Sequence, residues 1–333
     1  MKTQLLTVSP RDLRLAADII AAGGLVAFPT ETVYGLGGDA MNPSAAALIY
    51  EAKGRPSDNP LIIHLAHPSE AFLLAEALPE SFGKLAQRFW PGPLTMVVRK
   101  KASVPDATTG GLSTVALRIP DNAVALELIR LAQTPVAAPS ANLSGRPSPT
   151  CWEHVRNDLD GRIDAIIAGD PSSVGIESTV LDLTGPIPLI LRPGLVTPEE
   201  LESALGQPVT YDPAIIRPLD PETAPRAPGM KYRHYAPQAE MIVFKGEPEA
   251  VARAIEERRL QGKAAGKKVG TLLYGQAEKR LVAREFFSRL RQMDETGVDL
   301  ILAAAVSAED SVGFSIMNRM LKAAGYRIEE VLK

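Results

Sequence analysis

The chain has 333 residues, of which 45% are hydrophobic and 23% are charged, close to the average for soluble globular proteins. This length suggests about two domains, and the composition excludes a disordered chain and a small disulfide scaffold. The 36 basic and 39 acidic residues give a net charge of −3. That balance excludes a globally basic nucleic-acid coat and leaves room only for a local basic patch.

The N-terminal part predicts helices and strands mixed without strict alternation. Ser9 and Pro10 suit the start of a helix that Gly23 ends, and Leu25–Phe28 is a short buried strand. Further helices are expected at Pro43–Ala52, Ser69–Ala77, Phe82–Phe89, Asn122–Gln133, Thr150–Leu159 and Pro198–Leu205. Further strands are expected at Leu61–Leu65, Leu94–Arg99, Val115–Ile119, Val136–Ala138, Ala165–Ile167, Ser178–Asp182 and Leu189–Arg192. This order predicts an α+β or mixed-sheet domain over residues 1–206.

Residues 207–237 differ in composition from the rest, because seven of the chain's 28 prolines fall within them. Proline stiffens a chain and disfavours helix, so we expect an extended interdomain connector. The stretch ends in the aromatic and basic sequence PGMKYRHYAP, which a pure spacer would not need. Long connectors within compact proteins are often functional.

The remaining residues, 238–333, predict a small parallel three-layer domain from their β-α-β-α order. Its strands are expected at Met241–Phe244, Val269–Leu273 and Leu300–Ala304, and its helices at Pro248–Gln261, Ala283–Gln292 and Phe314–Ala324. Neither GLGGDA nor GKAAGKK has the glycine spacing of a dinucleotide or P-loop site. The motifs GxSxG and HExxH are absent, so hydrolase-elbow and zincin chemistry have no support.

One group of functional candidates is PTETVYGLG, at Pro29–Gly37, directly after a predicted strand. It brings hydroxyls such as that of Thr32 together with the carboxylate of Glu31, where the ends of strands usually hold ligands. The alternative is an ordinary turn that needs Gly35 and Gly37 for positive φ.

A second group is EAKGRPSDNPL, in which Lys53 and Arg55 flank a glycine. If this segment is extended, the spacing points both cations to one side, as a polyphosphate or a nucleic-acid backbone would require. The alternative is a solvated loop with scattered charge. His64, in the next strand, is more typical of a satisfied core histidine than of a catalyst.

Arg118 lies within the otherwise apolar strand VALRIP. A buried guanidinium needs an anionic partner, because desolvating it alone costs several kcal/mol. That partner is either internal, with Glu31, Glu51 and Glu177 as candidates, or a substrate carboxylate bound in bidentate fashion.

The loop APSANLSGRPSPT, 138–150, offers hydroxyls and amides that suit a polar ligand such as a nucleotide, or else forms a flexible surface loop. Ser178 and Arg192 follow near later strand ends. Together with Lys53, Arg55 and Arg118, Arg192 would form a cationic pocket in a protein of net negative charge. That pattern favours a small anionic ligand over a broad nucleic-acid face.

Seven motifs in their order along the chain resemble the YrdC-like threonylcarbamoyl-AMP synthase family in its long two-domain form. They are PTETVYGLG, KGRP with NPL, LRIP, PSAN, ESTV, LRPG and PGMKYRHYAP. The resemblance implies a YrdC-like twisted mixed α/β sheet domain, a Pro-rich linker and a smaller Rossmann-like three-layer domain. It also implies a nucleotidyltransferase that makes threonylcarbamoyl-AMP and pyrophosphate from L-threonine, bicarbonate or CO₂, and ATP. A tRNA-modifying transferase would receive the product and modify the adenosine next to the anticodon, and weak direct contact with tRNA or double-stranded RNA is open.

The resemblance also implies roles for individual residues, with Lys53 and Arg55 as the catalytic pair. Threonine would contact Thr32, His64, Arg118, Ala138 and Ser178. ATP, accompanied by Mg²⁺, would contact Lys53, Arg55, Asn59, Thr114, Ser140, Asn142, Ser148 and Arg192. Tyr232 and His234 of the linker would fold over the cleft as a lid, which would protect a carbamate that loses CO₂ readily in water.

Three other functions are compatible with parts of the pattern. A non-catalytic tRNA- or double-stranded-RNA-binding module would bind in a strongly salt-dependent way and would not respond to threonine. Carbamoyl transfer, as in related hydrogenase-maturation proteins, would call for zinc-finger-like cysteines, whereas Cys151 is the single cysteine here. A regulatory nucleotide sensor would bind without turnover.

Cellular location and metal content follow from simple features. One cysteine is typical of a reducing cytoplasm, and no apolar run approaches the ~18 residues of a membrane span. The N-terminus does not have the pattern of a signal peptide. No Cys/His spacing resembles a zinc site, so we expect a cytoplasmic protein that holds no metal of its own.

Overall fold

The structure, a computed structural model, describes residues 2–215, 225–228, 230–231, 234–275 and 277–331. The chain divides into two compact units, the first formed by residues 1–144 and 149–231, the second by residues 145–148 and 232–333. The boundaries predicted at 206 and 237 stay a prediction. Within the described ranges, no helix is long and apolar enough to cross a membrane.

The first unit is a sheet with helices on it, and most of its elements coincide with the predicted ones. Its helices are α1 (Pro10–Ala21), α2 (Pro43–Lys53), α3 (Ala71–Leu74), α4 (Glu80–Phe89), α5 (Asp106–Thr109), α6 (Ala123–Ala132), α7 (Trp152–Leu159) and α8 (Pro198–Leu205). Its strands are β1 (Gln4–Leu6), β2 (Val26–Phe28), β3 (Gly35–Asp39), β4 (Ile62–His64), β5 (Leu94–Arg99), β6 (Thr114–Arg118), β7 (Val136–Ala137), β8 (Ala165–Ile167), β9 (Thr179–Asp182), β10 (Leu189–Arg192) and β11 (Thr210–Tyr211).

These strands form one mixed sheet in the order β1-β8-β2-β3-β7-β4-β6-β5-β9-β10-β11. Neighbours such as β4 and β6 run parallel, whereas β6 and β5 run antiparallel. The mixture confirms the α/β prediction.

One part of a sheet face is covered by α1 and α6. Ser9 caps α1 by accepting a hydrogen bond from the backbone N–H of Asp12 at 3.2 Å, as the sequence predicts. The apolar side of the helix then places Ile20 against Phe28 and Val136 in one buried cluster with residues of α6. These helices are amphipathic and bury one side against the strands.

Gly35 and Gly37 lie in β3, paired antiparallel with β2, and neither has positive φ. The alternative of an ordinary turn that needs their left-handed conformation is therefore wrong. The reason for glycine is space, because a Cβ on Gly37 would lie 2.7 Å from Phe28 Cε1 and 2.9 Å from Val136 Cγ1. Glycine lets the backbone approach the ring of Phe28 closely.

The linker, residues 207–237, is more than a spacer where the structure describes it. Thr210–Tyr211 adds a parallel strand beside β10, and a 3₁₀ turn follows at Pro213–Ile215. Further on, Ala227 and Met230 are buried in a cluster with residues of β4, β5 and β6. Apolar side chains in a proline-rich stretch thus hold it against the sheet of the first unit.

The second unit contains a four-stranded parallel sheet in the order β13-β14-β12-β15. Its elements are β12 (Glu240–Gly246), α9 (Pro248–Ala264), β13 (Val269–Leu272), α10 (Lys279–Glu295), β14 (Leu300–Ala304), α11 (Ser311–Ala323) and β15 (Ile328–Val331). The parallel β-α-β order agrees with the sequence prediction, to which β15 adds an edge strand.

Candidate active site

Two of the predicted site residues, His64 and Arg118, are register partners at the ends of β4 and β6. Alternate residues of a strand share a face, so both side chains lie on the face that carries Ile62 and Ala116. The linker residue Met230 packs against that same face. Arg118 therefore points to a surface of the sheet that the linker partly covers.

Arg118 is 4% exposed and Glu31 is 6% exposed. Arg118 Nη2 lies 2.7 Å from Glu31 Oε2, and Arg118 Nε donates to the carbonyl of Gly92 at 3.3 Å. Glu31 is thus the internal partner among the three candidates that the sequence offered. The ion pair is close in distance, but its angles are not those of a hydrogen bond.

His64 lies beside this pair and carries no charge. Its ring packs edge-on against that of Phe28, with 6.4 Å between the centroids, and Nδ1 lies 3.3 Å from the carbonyl oxygen of Ile62. Burial and the positive charge of Arg118 lower the pKa of His64 to about 3. Both effects disfavour the imidazolium, so His64 offers a neutral polar edge and is a weak base.

Ser178 and Arg192 form a third group at the ends of β9 and β10. Arg192 Nε donates to the carbonyl of Ser178 at 3.0 Å, and Nη2 lies 3.1 Å from its Oγ. The same Oγ lies 2.7 Å from Thr95 Oγ1. Thr95 is not among the residues predicted from the sequence, although a lone hydroxyl in the apolar strand LTMVVR is a signal that could have found it.

Lys53 and Arg55 do not lie in an extended segment, so the extended conformation considered for this segment is wrong. Lys53 is the last residue of α2, and Gly54, with φ of 60°, ends the helix. The N–H of Arg55 then donates to the carbonyl of Tyr50 at 2.9 Å. Glycine favours this left-handed helix end, and the turn sends the two cations to different partners.

Lys53 is 2% exposed and organises the loop after β7. Its Nζ donates to the carbonyl of Ser140 at 2.6 Å and to that of Asn142 at 2.5 Å. Ser140 Oγ in turn donates to Asn142 Oδ1 at 2.6 Å, and the N–H of Ser144 donates to the carbonyl of Lys53 at 2.8 Å. Three predicted ATP ligands are thus brought together.

Arg55 and Asn59 form a smaller group in the turn between α2 and β4. Arg55 donates from Nε to the carbonyl of Asn59 at 3.3 Å and from Nη2 to that of Pro60 at 3.1 Å. Tyr50 OH also donates to the Asn59 carbonyl, at 3.3 Å, and burial raises the pKa of Tyr50 to about 12. These contacts hold the turn that carries both residues.

Thr32 and Ala138 reach the site from neighbouring loops. Thr32 Oγ1 lies 2.9 Å from Thr30 Oγ1, and Thr30 Oγ1 donates to the carbonyl of Val33 at 2.6 Å. The N–H of Ala138 donates to the carbonyl of Ile62 at 2.9 Å, which places it beside β4.

Thr114, Ser148 and His234 complete the predicted site residues that the structure describes. Thr114 is at the opposite end of β6 from Arg118, about 13 Å away at ~3.3 Å per residue. Ser148 belongs to the segment that groups with the second unit. There, the ring of His234 lies 5.6 Å from that of Tyr235, and Tyr232 lies outside the described residues. Their ATP and lid roles stay predictions.

The lysine and arginine side chains of the site are suited to anions. Across the described ranges, no three His, Cys, Asp or Glu side chains are placed to hold a metal ion. Lysine and arginine cannot ligate Mg²⁺, which prefers oxygen ligands and commonly binds through substrate phosphates.

Comparison with known proteins agrees with this geometry. A family model described as "Telomere recombination" (Sua5_yciO_yrdC) matches residues 18–194, and one described as "Threonylcarbamoyl-AMP synthase, C-terminal domain" matches residues 196–325. The threonylcarbamoyl-AMP synthase of Pyrococcus abyssi is 50% identical, over 96% of each chain. The chain belongs to the threonylcarbamoyl-AMP synthase family. The resemblance seen in the sequence motifs is thereby confirmed.

Further relatives extend the match over the whole molecule. The threonylcarbamoyl-AMP synthase of Bacillus subtilis is 44% identical, over 98% of this chain and 96% of the relative. The solved structure of P. abyssi Sua5 complexed with L-threonine has a TM-score of 0.94 at 48% identity, covering 99% of this chain and 100% of that chain. The two-domain fold predicted for a long threonylcarbamoyl-AMP synthase is therefore confirmed.

Proposed function

We propose that this chain joins L-threonine, bicarbonate or CO₂, and ATP into threonylcarbamoyl-AMP, with release of pyrophosphate. Its family membership supports the reaction, and the positions of its buried cations support the assignment of substrates. The neutral amine of threonine would attack CO₂ and release a proton, or attack bicarbonate and release water, and in either case a carbamate forms. The carbamate oxygen would then attack the α-phosphate, and the bond to pyrophosphate would break.

The observation that carries this proposal is the state of Arg118. Its Nη2 is buried and has no hydrogen-bond partner in the described part of the chain. Glu31 Oε2, 2.7 Å away, pairs with it by charge, and a substrate carboxylate would accept the hydrogen bond that this pair does not make. The carboxylate of threonine, bound in bidentate fashion, is the partner that an arginine fork matches best.

Polar side chains around Arg118 suit the remainder of threonine. Ser178 and Thr95 provide a pair of hydroxyls that lie 2.7 Å apart. Thr32 provides another hydroxyl from the loop after β2. His64 is neutral, because of the pKa effect described above, so it does not add a second positive charge beside Arg118. We assign threonine to these residues and to Ala138.

ATP is assigned to two groups of cations and amides, one around Lys53 and one around Arg55. Lys53 fixes the loop of Ser140 and Asn142, and Arg55 lies in the turn with Asn59. Arg192 would add a third cation, and Thr114 and Ser148 are assigned by resemblance alone. Positive charge held in place before the reaction stabilises the charge that develops on a leaving pyrophosphate, and Mg²⁺ bound to ATP would supply more of the same.

No protein nucleophile is needed for these steps. Catalysis would depend on positioning the reactants and on electrostatics, while closure by the linker keeps water from the carbamate. Tyr232 and His234 are the proposed lid residues. The product would pass to a tRNA-modifying transferase, with weak tRNA or double-stranded RNA contact as a further proposal.

The proposal is tested by measuring pyrophosphate release from the purified protein with ATP and Mg²⁺. Threonine and bicarbonate are each present or omitted. We expect release only when both are present. No release in any mixture, together with tight tRNA binding that weakens steeply with salt, would favour an RNA-binding module instead.

A further inference from the structure

Glu31 is a buried carboxylate whose hydrogen-bonding capacity is not used by the described part of the protein. Neither Oε1 nor Oε2 accepts a hydrogen bond from the described residues. Its backbone is held in place, because the N–H of Val174 donates to the Glu31 carbonyl at 2.7 Å. The carboxylate is thus held at the site but is not satisfied there.

The adjacent Arg118 has the opposite deficiency. Its Nη2, 2.7 Å from Glu31 Oε2, is a buried donor that makes no hydrogen bond within the described ranges. A pair that existed only to neutralise itself would be expected to align its donor and acceptor, since buried ions need both charge and hydrogen bonds. In this pair, the acceptor oxygens of Glu31 and the Nη2 donor of Arg118 lie beside each other without forming a hydrogen bond.

An unsatisfied acceptor of negative charge next to an unsatisfied donor of positive charge is complementary to a zwitterion. The head group of an α-amino acid carries an ammonium and a carboxylate on one carbon atom. We propose that Glu31 binds the α-ammonium of the amino-acid substrate while Arg118 binds its carboxylate. This inference rests on the proposed function, which assigns threonine to this site, and it adds the group that recognises the amine.

The surroundings of Glu31 are consistent with that role. His64, the register partner of Arg118, is neutral, and Glu31 beside Arg118 supplies a negative charge that can attract an ammonium. The hydroxyls of Thr32 and Ser178 can accept or donate hydrogen bonds but carry no charge. Selection for an amino acid over the corresponding hydroxy acid would therefore depend on Glu31.

The test compares two ligands on the full-length protein by titration calorimetry. One ligand is L-threonine, and the other is 2,3-dihydroxybutanoate, which has a hydroxyl in place of the α-ammonium. We expect the wild-type protein to prefer threonine by about 10–100-fold, the effect of a hydrogen bond to a charged group. In Glu31→Gln that preference should fall to about threefold or less, because only threonine loses an interaction. Glu80→Gln, at an exposed position, is the control and should keep the wild-type preference.

Each other result would count against the proposal. An equal loss of affinity for both ligands in Glu31→Gln would mean that Glu31 acts only by holding Arg118. Equal affinity of the wild-type protein for both ligands would overturn the proposal without any variant, so it remains testable if Glu31→Gln does not fold. If the wild-type protein binds ATP but neither ligand, the proposed function itself fails, and that result is distinct from the other two.

Discussion

Lys53 Nζ donates to the backbone carbonyl of Ser140 at 2.6 Å and so joins the end of α2 to a loop 87 residues further along the chain. The second bond, to the carbonyl of Asn142, fixes the loop at another point. An ammonium on a flexible stem can satisfy several acceptors at once. The side chain therefore both places positive charge at the proposed ATP site and shapes the loop that would hold the nucleotide.

Replacing Lys53 by methionine should reduce pyrophosphate release by about 10²–10³-fold, the usual effect of removing one preorganised electrostatic donor. The two carbonyls lose their shared donor, so we also expect weaker ATP binding and some loss of stability. Turnover under saturating substrates and calorimetric ATP affinity check both effects. Lys84→Met, which removes an exposed lysine paired with Glu80, is the matched control. Normal turnover in Lys53→Met would show that the loop holds its shape and charge without it.

The low pKa of His64 predicts how stability depends on pH. The pKa of His64 is about 3 in the folded protein, whereas in an unfolded chain the pKa is near its ordinary value of 6.5. Between these values the unfolded state binds the extra proton, so the free energy of unfolding falls as pH falls from about 6.5 towards 3. The slope from this one group is at most about 1.4 kcal/mol per pH unit.

Urea unfolding of wild type and His64→Gln at several pH values between 4 and 7 would measure that slope. The variant should lose up to about 1.4 kcal/mol per pH unit of the wild-type dependence. His67→Gln changes an exposed histidine three residues away and should leave the wild-type slope in place. Identical slopes in wild type and His64→Gln would mean that the pKa of His64 is the same in the folded and unfolded chain.

The sequence predicted elements well wherever local signals define their ends. Thr197 forms a capping box with Glu200, and α8 begins at Pro198 as expected. Short strands such as Thr210–Tyr211 escaped prediction because two partly exposed residues carry no apolar pattern. The exposed edge strand Ile328–Val331 escaped for the same reason.

Long-range pairing was harder to predict than residue type. The apolar strand around Arg118 showed that a buried cation needs an anion, but three carboxylates satisfied that requirement equally well. Only the fold brings Glu31 to it. In the same way, the sequence KGR suggested two cationic side chains on one side of an extended segment. The left-handed Gly54 instead turns Arg55 towards Asn59 and Pro60.

Arg226 is expected to hold the linker against the first unit. Its guanidinium forms ion pairs with Asp182, which is buried, and with Asp212, which lies 3.5 Å away. Asp182 otherwise accepts from the N–H and hydroxyl of Thr184. Hydrogen bonds to charged groups contribute about 1.5–3 kcal/mol. Arg226→Met should therefore accelerate amide exchange around Met230 by about 10–100-fold through local opening.

Hydrogen exchange followed by mass spectrometry would measure this effect on peptides that cover residues 225–231. Arg259→Met removes a comparable pair with Glu256 on helix α9 and should not change exchange in the linker peptides. If exchange at the linker is the same in Arg226→Met and wild type, the apolar contacts of Ala227 and Met230 alone hold the segment.

Two glycines provide opposite predictions from the same substitution. A Cβ on Gly37 would overlap Phe28 and Val136, so Gly37→Ala should destabilise the protein by about 1–3 kcal/mol, as expected for overpacking. Gly83 lies within α4, and nothing within 4 Å would meet a Cβ there. Gly83→Ala should therefore stabilise the protein by about 0.5–1 kcal/mol, since alanine favours helix over glycine. Urea unfolding of both variants would check the two signs, and equal effects would show that the space around Gly37 relaxes without cost.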